Sequence, residues 1–290
     1  MNVRLAVFGP TAVGKTEFCL VLAQAIGGEV VNADAVQLYR GFDRGAAKPS
    51  AEQREAVAHH LLDIADPGME ITVASYQVLA LAAVREIERR GAVPIVSGGS
   101  GLYLRAALGE WHGFGQPPDP EVRLWAQGAT IEAVQARAAA LDPEAARRVS
   151  PHDRPRLVRI IERSAAGGED PAAQAECPRF LKIGLQLPRD ELYRRIEQRA
   201  EVLWPSLLAE TGVLLRRGAP AAALAARTIG YREALLHLQG ELTQAQALQQ
   251  LRISTRRLAK RQLTWWRRER DTIWLRPDDG VRQVMACIGP

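Results

Sequence analysis

Cysteine is scarce in this sequence of 290 residues: Cys19, Cys177 and Cys287, far apart. Three cysteines at such separations build neither a disulfide framework nor a zinc-ligand spacing, which points to a reducing compartment. Long apolar runs are missing as well. Residues 1–8 carry too short an apolar stretch for a signal peptide, and no run of ~18 apolar residues follows. Secretion and membrane contact are therefore not expected, and a cytoplasmic location is. Only four of the 38 basic residues are lysines (Lys15, Lys48, Lys182 and Lys260), a bias that genome composition accounts for. His59 and His60 have only Asp63 as a nearby acid, so a histidine metal site is not expected. No internal repeat is visible.

What is present describes a folded protein. Hydrophobic residues make up 47% and charged residues 24%, which excludes disordered and fibrous classes. The length suits two domains, or one large core with an insertion. A net charge of +5 leaves an anionic partner open without identifying one.

The first hundred residues alternate strand and helix signals. Residues 4–8 form a short apolar run ending in a glycine-containing loop, an apolar-periodic stretch covers 17–26, and 29–32 reads as a second strand. Thr72 fits an N-cap, Tyr76, Leu79, Ala83 and Ile87 fall at helical spacing, and Gly91 sits where the helix should end. Residues 93–97 form a third strand. This order predicts an α/β fold: a mostly parallel sheet with helices on both faces. Gln116-Pro117-Pro118-Asp119-Pro120 breaks the pattern, Ala/Arg-rich helical sequence follows, and Gly167 to Pro171 reads as a linker. Residues 181–187 look like a strand rejoining the sheet. The expected division is a core of 1–112 and 181–290 with an insertion of 113–180; its alanine content would also suit an ordinary surface helix pair. A long helix is expected from Thr243 to about Glu269.

Gly9-Pro10-Thr11-Ala12-Val13-Gly14-Lys15-Thr16 fits the phosphate-loop pattern, after a strand and before a helix. The glycines let backbone N–H groups converge on an anion, and the helix adds its positive end. Lys15 supplies a point charge, and the Thr16 hydroxyl suits a magnesium ion. The strand at 93–97 ends in Gly98-Gly99-Ser100 without the metal-holding acid of P-loop ATPases, and Asp63 is a weak substitute. A transferase that uses the loop to hold a leaving group fits better. Asp34 follows the second strand. If that strand neighbours the first, Asp34 lies beside the phosphate site as base or metal partner. It would also serve as N-cap of a helix starting near Ala35, and both readings stay open. Lys48 reads as a solvated loop lysine.

Together these segments resemble one family. The phosphate loop, Asn32 to Tyr39, Gly45-Ala46-Ala47-Lys48-Pro49, His60-Leu61-Leu62-Asp63, Ser97 to Tyr103 and Asp119 to Arg123 occur in order. Arg195 to Arg199, Ile229-Gly230-Tyr231-Arg232-Glu233 and Arg257 to Trp265 follow. The set is similar to the tRNA dimethylallyltransferases of bacterial type, over residues 9 to about 268. The resemblance implies that the parallel sheet is P-loop-kinase-like and carries an inserted helical domain. It also implies magnesium-dependent transfer of a dimethylallyl group from its diphosphate to N6 of the adenosine 3′ of a tRNA anticodon, position 37. It further implies that Gly9, Pro10, Thr11, Ala12, Val13, Gly14, Lys15, Thr16 and Arg199 hold the diphosphate, with Thr16 on the metal and Asp34 as base. Ser100 stands where the family carries threonine. The resemblance places Asp34, Ala35, Val36, Gln37, Ser100, Arg123, Arg156, Arg159, Arg227, Arg232, Lys260, Arg261, Gln262 and Arg267 towards the tRNA anticodon stem-loop.

Residues 252–270 hold eight basic side chains and one acid, a net +7 that leaves −2 on the rest of the chain. An arginine-bearing helix face against RNA phosphates, with Trp265 and Trp266 packed inward, is expected there. No obligate protein partner is expected. The rival readings are an adenylate isopentenyltransferase acting on free nucleotides, a P-loop nucleotide or RNA kinase, and a non-catalytic RNA-binding ATPase.

Overall fold

The structure is a computed structural model, and it describes residues 3–111, 118–165 and 179–288. The chain divides into two compact units, Met1–Glu110 with Pro178–Pro290, and Trp111–Cys177. In the first unit the order is β1 (Leu5–Phe8), α1 (Lys15–Ile26), β2 (Gly28–Asn32), α2 (Ala51–Ala56), β3 (His59–His60), α3 (Val73–Arg89), β4 (Val93–Gly98) and α4 (Gly101–Ala107). The second unit holds α5 (Pro120–Gly128), α6 (Ile131–Leu141), α7 (Pro143–Arg147) and α8 (Arg154–Ala165). The first resumes with β5 (Leu181–Leu185), α9 (Arg189–Arg216), α10 (Ala221–Arg227), α11 (Tyr231–Leu238), α12 (Gln244–Trp266), β6 (Thr272–Leu275) and α13 (Pro277–Ile288).

The strands make one parallel sheet in the order β3-β2-β4-β1-β5-β6. All four residues of β1 have no exposure, as a continuous apolar run between two neighbours requires. Leu5 is in register with Ile95 of β4 and Leu181 of β5. The second strand does not neighbour the first: β4 lies between them. A crossover helix must pack on the sheet before its chain returns, and α1 spans more than one strand spacing in doing so.

Helix ends follow local chemistry. Gly14 at φ 105° starts α1 and Gly27 at φ 64° ends it, its N–H on Ala23 O. The Thr72 hydroxyl accepts the Ser75 amide at 3.1 Å, and Gly91 follows α3 with φ 78°. The buried face of α3 is Tyr76, Ala80, Val84 and Ile87, whereas Leu79, expected inside, is 41% exposed. Tyr76 and Ile87 lie on the expected face, and the Tyr76 hydroxyl donates to Asn32 O at 2.7 Å.

β6 interrupts a C-terminal third expected to be helical, and α13 follows it. Their apolar residues Ile273, Val281, Val284, Met285 and Ile288 join the core around Phe18, and a Cβ on Gly280 would lie 2.8 Å from the Phe18 ring. α12 stops at Trp266, three residues before the expected end. In the second unit, Val134, Ala138, Leu157 and Ile161 form a separate small core. The Gly167 to Pro171 linker, Gln116 and Pro117 of the 116–120 break and Cys177 lie outside the described residues, and Asp119 of that break caps α5. No described helix is long and apolar enough to cross a membrane.

Candidate active site

The phosphate loop joins β1 to α1. Gly9 is required by close approach, since a Cβ there would lie 2.6 Å from Leu185 O. Ala12 adopts φ 64°, a left-handed conformation that costs an L-residue roughly 1–2 kcal/mol and that the surrounding loop imposes. Lys15 folds its amine back on the loop, donating to Gly9 O at 3.0 Å and Pro10 O at 2.9 Å. An ammonium has three donors, so one remains for a ligand. The first amides of α1, at Lys15, Thr16 and Glu17, have no carbonyl one turn earlier and form the positive end of the helix.

Asp34 reaches this site although β4 intervenes. The chain leaving β2 leans across the end of β4: the Ala33 amide donates to Ser97 O at 2.7 Å. Gly98 permits this, because a Cβ there would stand 2.0 Å from Ala33 O. Asn32 holds the turn, accepting the Asp34 amide at 3.0 Å and donating to Leu61 O at 3.1 Å. Asp34 Oδ1 accepts the Val36 amide at 2.9 Å and the Gln37 amide at 3.4 Å. The capping role thus exists, but the element capped is a turn over 35–38 and no helix begins near Ala35. One carboxylate oxygen is used, and the residue still faces the cleft.

Asp34, Lys15 and Arg199 act on one another electrically. Burial pulls the Lys15 amine down to about 8, Asp34 opposing and Arg199 adding to the effect. Burial also lowers Arg199, again against Asp34. Two desolvated cations and one anion at a phosphate loop favour a multiply charged anionic ligand.

The cleft measures about 900 Å³. The phosphate loop, Asp34 and Ser100 share its lining with Arg195 and Arg199 of α9, Arg232 of α11 and Arg261 of α12, and Ile196, Leu203, Ile229, Leu251 and Leu258 give it an apolar section. Ser100 is the N-cap of α4 but makes no capping bond with its side chain.

The residues expected to face RNA divide into groups. Ala35, Val36, Gln37, Ser100, Arg232, Arg261 and Gln262 line the cleft. Lys260 and Arg267 are exposed nearby on α12 and at its end. The Gln37 amide is engaged with Ala46 O and Ala47 O, at 3.0 and 3.3 Å. In the second unit, Arg123 and Arg159 donate to the buried carboxylate of Glu162 at 2.9 and 2.8 Å, and Arg156 pairs with Asp153. The side chain of Arg227 lies outside the described residues.

The basic stripe is narrower than its count of charges. Arg252 pairs with Glu201 and Arg256 with Glu197, both on α9, while Arg257, Lys260, Arg261, Arg267, Arg268 and Arg270 are exposed. Trp266 is fully buried, and the Trp265 ring stands over Gly101 with the Arg105 guanidinium 5.4 Å from its centre.

Lys48 is not solvated. Its side chain is 1% exposed, and its amine donates to Tyr39 O, Asp43 and Asp63. Asp63 also takes Arg54 at 2.8 Å, and these two cations hold its carboxyl below the usual range against the effect of burial. Asp63 is thus a structural partner of Lys48. Sequence reasoning passed over Glu210 of α9, whose carboxylate accepts the amides of Asp43, Arg44 and Gly45 and the Tyr231 hydroxyl. No local pattern marks it, since the loop amides it accepts are some 165 residues away.

Among the described residues, no group of three or more His, Cys, Asp or Glu could hold a metal by itself. A hard divalent ion bound mainly by diphosphate oxygens and water needs only one or two protein oxygens, and Thr16 at the start of α1 is placed to give one.

A family model described as IPP transferase matches residues 37–269. A tRNA dimethylallyltransferase of Anaeromyxobacter dehalogenans is 44% identical over 284 residues, 93% of this chain and 94% of that protein. One from Geobacter metallireducens is 42% identical over 296 residues, 97% of this chain and 95% of that protein. Among solved structures, a tRNA isopentenylpyrophosphate transferase of Bacillus halodurans superposes with a TM-score of 0.73 at 32% identity, covering 99% of this chain and 96% of that one. With the parallel sheet, the phosphate loop and the cleft described above, these likenesses show that the chain belongs to the IPP transferase family.

Proposed function

We propose that this chain is a tRNA-modifying prenyltransferase that moves a dimethylallyl group from dimethylallyl diphosphate to N6 of the adenosine 3′ of the anticodon. The observation that carries the reading is one cleft in which a phosphate loop, two desolvated cations and the Asp34 carboxylate that acts on both converge, with Asp63 committed elsewhere. That arrangement suits holding a leaving diphosphate better than activating water for hydrolysis.

In the transfer, the bond from the allylic carbon to the diphosphate oxygen breaks and a bond from that carbon to N6 forms. Lys15 and Arg199 neutralise charge on the departing diphosphate, and the amides at the start of α1 add to this. Asp34 takes the proton released from N6, which keeps the new amine neutral. The apolar section of the cleft accommodates the hydrocarbon and keeps water from the allylic carbon. Magnesium, with Thr16 as its protein ligand, supplies further charge neutralisation when bound. A base in an anticodon loop reaches a recessed site only after turning out of its stack, and the exposed Lys260, Arg261 and Arg267 suit the flanking phosphates.

Incubation with labelled dimethylallyl diphosphate and tRNA, AMP or ATP tests the reading. Label is expected on tRNA at the anticodon-adjacent adenosine. Label on AMP alone would establish an adenylate isopentenyltransferase, and phosphate transfer from ATP without prenylation would establish a kinase.

A further inference from the structure

α12 enters the cleft with one side chain whose two polar ends are both occupied. Gln262 Oε1 accepts the Thr11 amide at 2.8 Å, and Nε2 donates to Gly99 O at 2.8 Å. A backbone amide only donates and a carbonyl only accepts, so a single orientation of the glutamine satisfies both. Thr11 belongs to the phosphate loop after β1, and Gly99 to the segment after β4. The side chain therefore ties together the ends of two adjacent strands.

The helix that bears it is fixed at both sides. Ala259, three residues before, is fully buried. Trp266, four residues after, is buried against Phe8 at the end of β1, with ring centres 4.6 Å apart. The preceding Lys260 and Arg261 are exposed, and Arg261 lines the cleft. The Thr11 amide, bonded to Gln262, is not available to a phosphate. The strap thus sets the shape of the cradle while other amides contact the ligand.

We propose that Gln262 is a positioning residue for the donor diphosphate, holding the phosphate loop against the end of β4 from the same helix that presents Lys260 and Arg261 to RNA. The proposal rests on the prenyl-transfer reading for the identity of the ligand. It separates Gln262 from its neighbours in the RNA-facing segment, because its amide is given to protein backbone at both ends.

Two variants disrupt the strap from opposite sides. Gln262→Met keeps the length and removes both hydrogen bonds. In Gly99→Ala the new Cβ lies 2.6 Å from Gln262 Nε2, a mobile side-chain end, and Gly99 has no left-handed φ, so the methyl group displaces the amide without backbone conflict. The measurements are the dissociation constant of inorganic pyrophosphate by calorimetry, the KM for dimethylallyl diphosphate and the affinity for tRNA. Each single variant is expected to weaken pyrophosphate about ten-fold and raise that KM in parallel, as loss of two loop-holding hydrogen bonds implies. Binding of tRNA should stay within two-fold. The double variant should bind pyrophosphate no more weakly than the weaker single one, since both remove the same strap. Unchanged pyrophosphate affinity in Gln262→Met, additive losses in the double variant, or a rise confined to the tRNA constant would each overturn the proposal, the last by making Gln262 an RNA contact. If Gln262→Met does not fold, Gly99→Ala decides. A wild-type protein that binds pyrophosphate but prenylates no tRNA would refute the functional reading instead, and the binding comparison would still test the strap.

Discussion

Asp34 carries two loads that one pair of substitutions separates. Its Oδ1 holds the turn at Val36 and Gln37, and its charge faces Lys15 and Arg199. Asp34→Asn retains an acceptor oxygen for the turn and removes the proton acceptor. Asp34→Ala removes both. A positioned general base contributes ~10²–10⁴-fold, so both variants are expected to lose transfer by at least two orders of magnitude, about 3 kcal/mol in the barrier. Only the alanine variant should lose the turn, about 1 kcal/mol, visible as roughly 2–4 °C in Tm. The sign of diphosphate binding should run the other way. The Asp34 charge opposes an anionic ligand at the two cations, and its removal is worth roughly 1–2 kcal/mol at an effective dielectric constant of ~20, a five- to thirty-fold tightening for pyrophosphate. Single-turnover transfer with saturating tRNA, calorimetry with pyrophosphate and thermal unfolding give the three readouts. An asparagine variant transferring within three-fold of wild type would remove Asp34 from the chemistry. Weaker pyrophosphate binding would refute the electrostatic arrangement.

The depressed Lys15 amine sets a pH dependence for the ligand. Its ammonium is fully present well below pH 8, and bound diphosphate favours that form, so pyrophosphate affinity should be level up to about pH 7 and fall as pH rises through 8. Proton uptake on binding near pH 8, measured in two buffers of different ionisation enthalpy, checks the sign. Lys260→Ala and Arg261→Ala should each lower the slope of log affinity for tRNA against log salt by ~0.7–0.9. Arg252→Ala should leave it unchanged, because Arg252 is already paired with Glu201. Gly98→Ala puts a Cβ against Ala33 O and should displace Asp34, losing transfer while pyrophosphate binding survives. Glu210→Ala releases three loop amides and the Tyr231 hydroxyl, and faster tryptic cleavage after Arg44 would report it.

Local signals made much of the phosphate side legible. The strand, loop and helix from Leu5 to Ile26 follow one another directly, and their glycines and apolar run need no distant information. The Thr72 cap and Gly91 were readable for the same reason. Asp34 was placed near the phosphate loop by an argument from adjacent strands that the sheet order does not satisfy. It arrives there because Gly98 lets the chain cross β4, a steric fact between residues 65 positions apart. Lys48, Glu210 and Gln262 were opaque for a related reason. Glu210 and Gln262 are defined by backbone atoms they meet from far along the chain, and Lys48 by a loop that folds Tyr39, Asp43 and Asp63 around its amine, and no spacing encodes such a meeting. β6 has only four residues, three of them half-buried, and gives too weak a pattern to stand out.

The packing of α13 on α1 has a temporal meaning. The two helices are separated by roughly 260 residues, and until the later one emerges Phe18 has no cover on that flank. At ~5–20 residues per second of synthesis, a nascent chain exposes that aromatic edge for roughly 15–50 s. The helix that follows the phosphate loop is thus among the first pieces translated and among the last to be enclosed. A nascent chain that has not yet exposed α13 should leave it open to chaperones, and diphosphate affinity should appear only after α13 has packed.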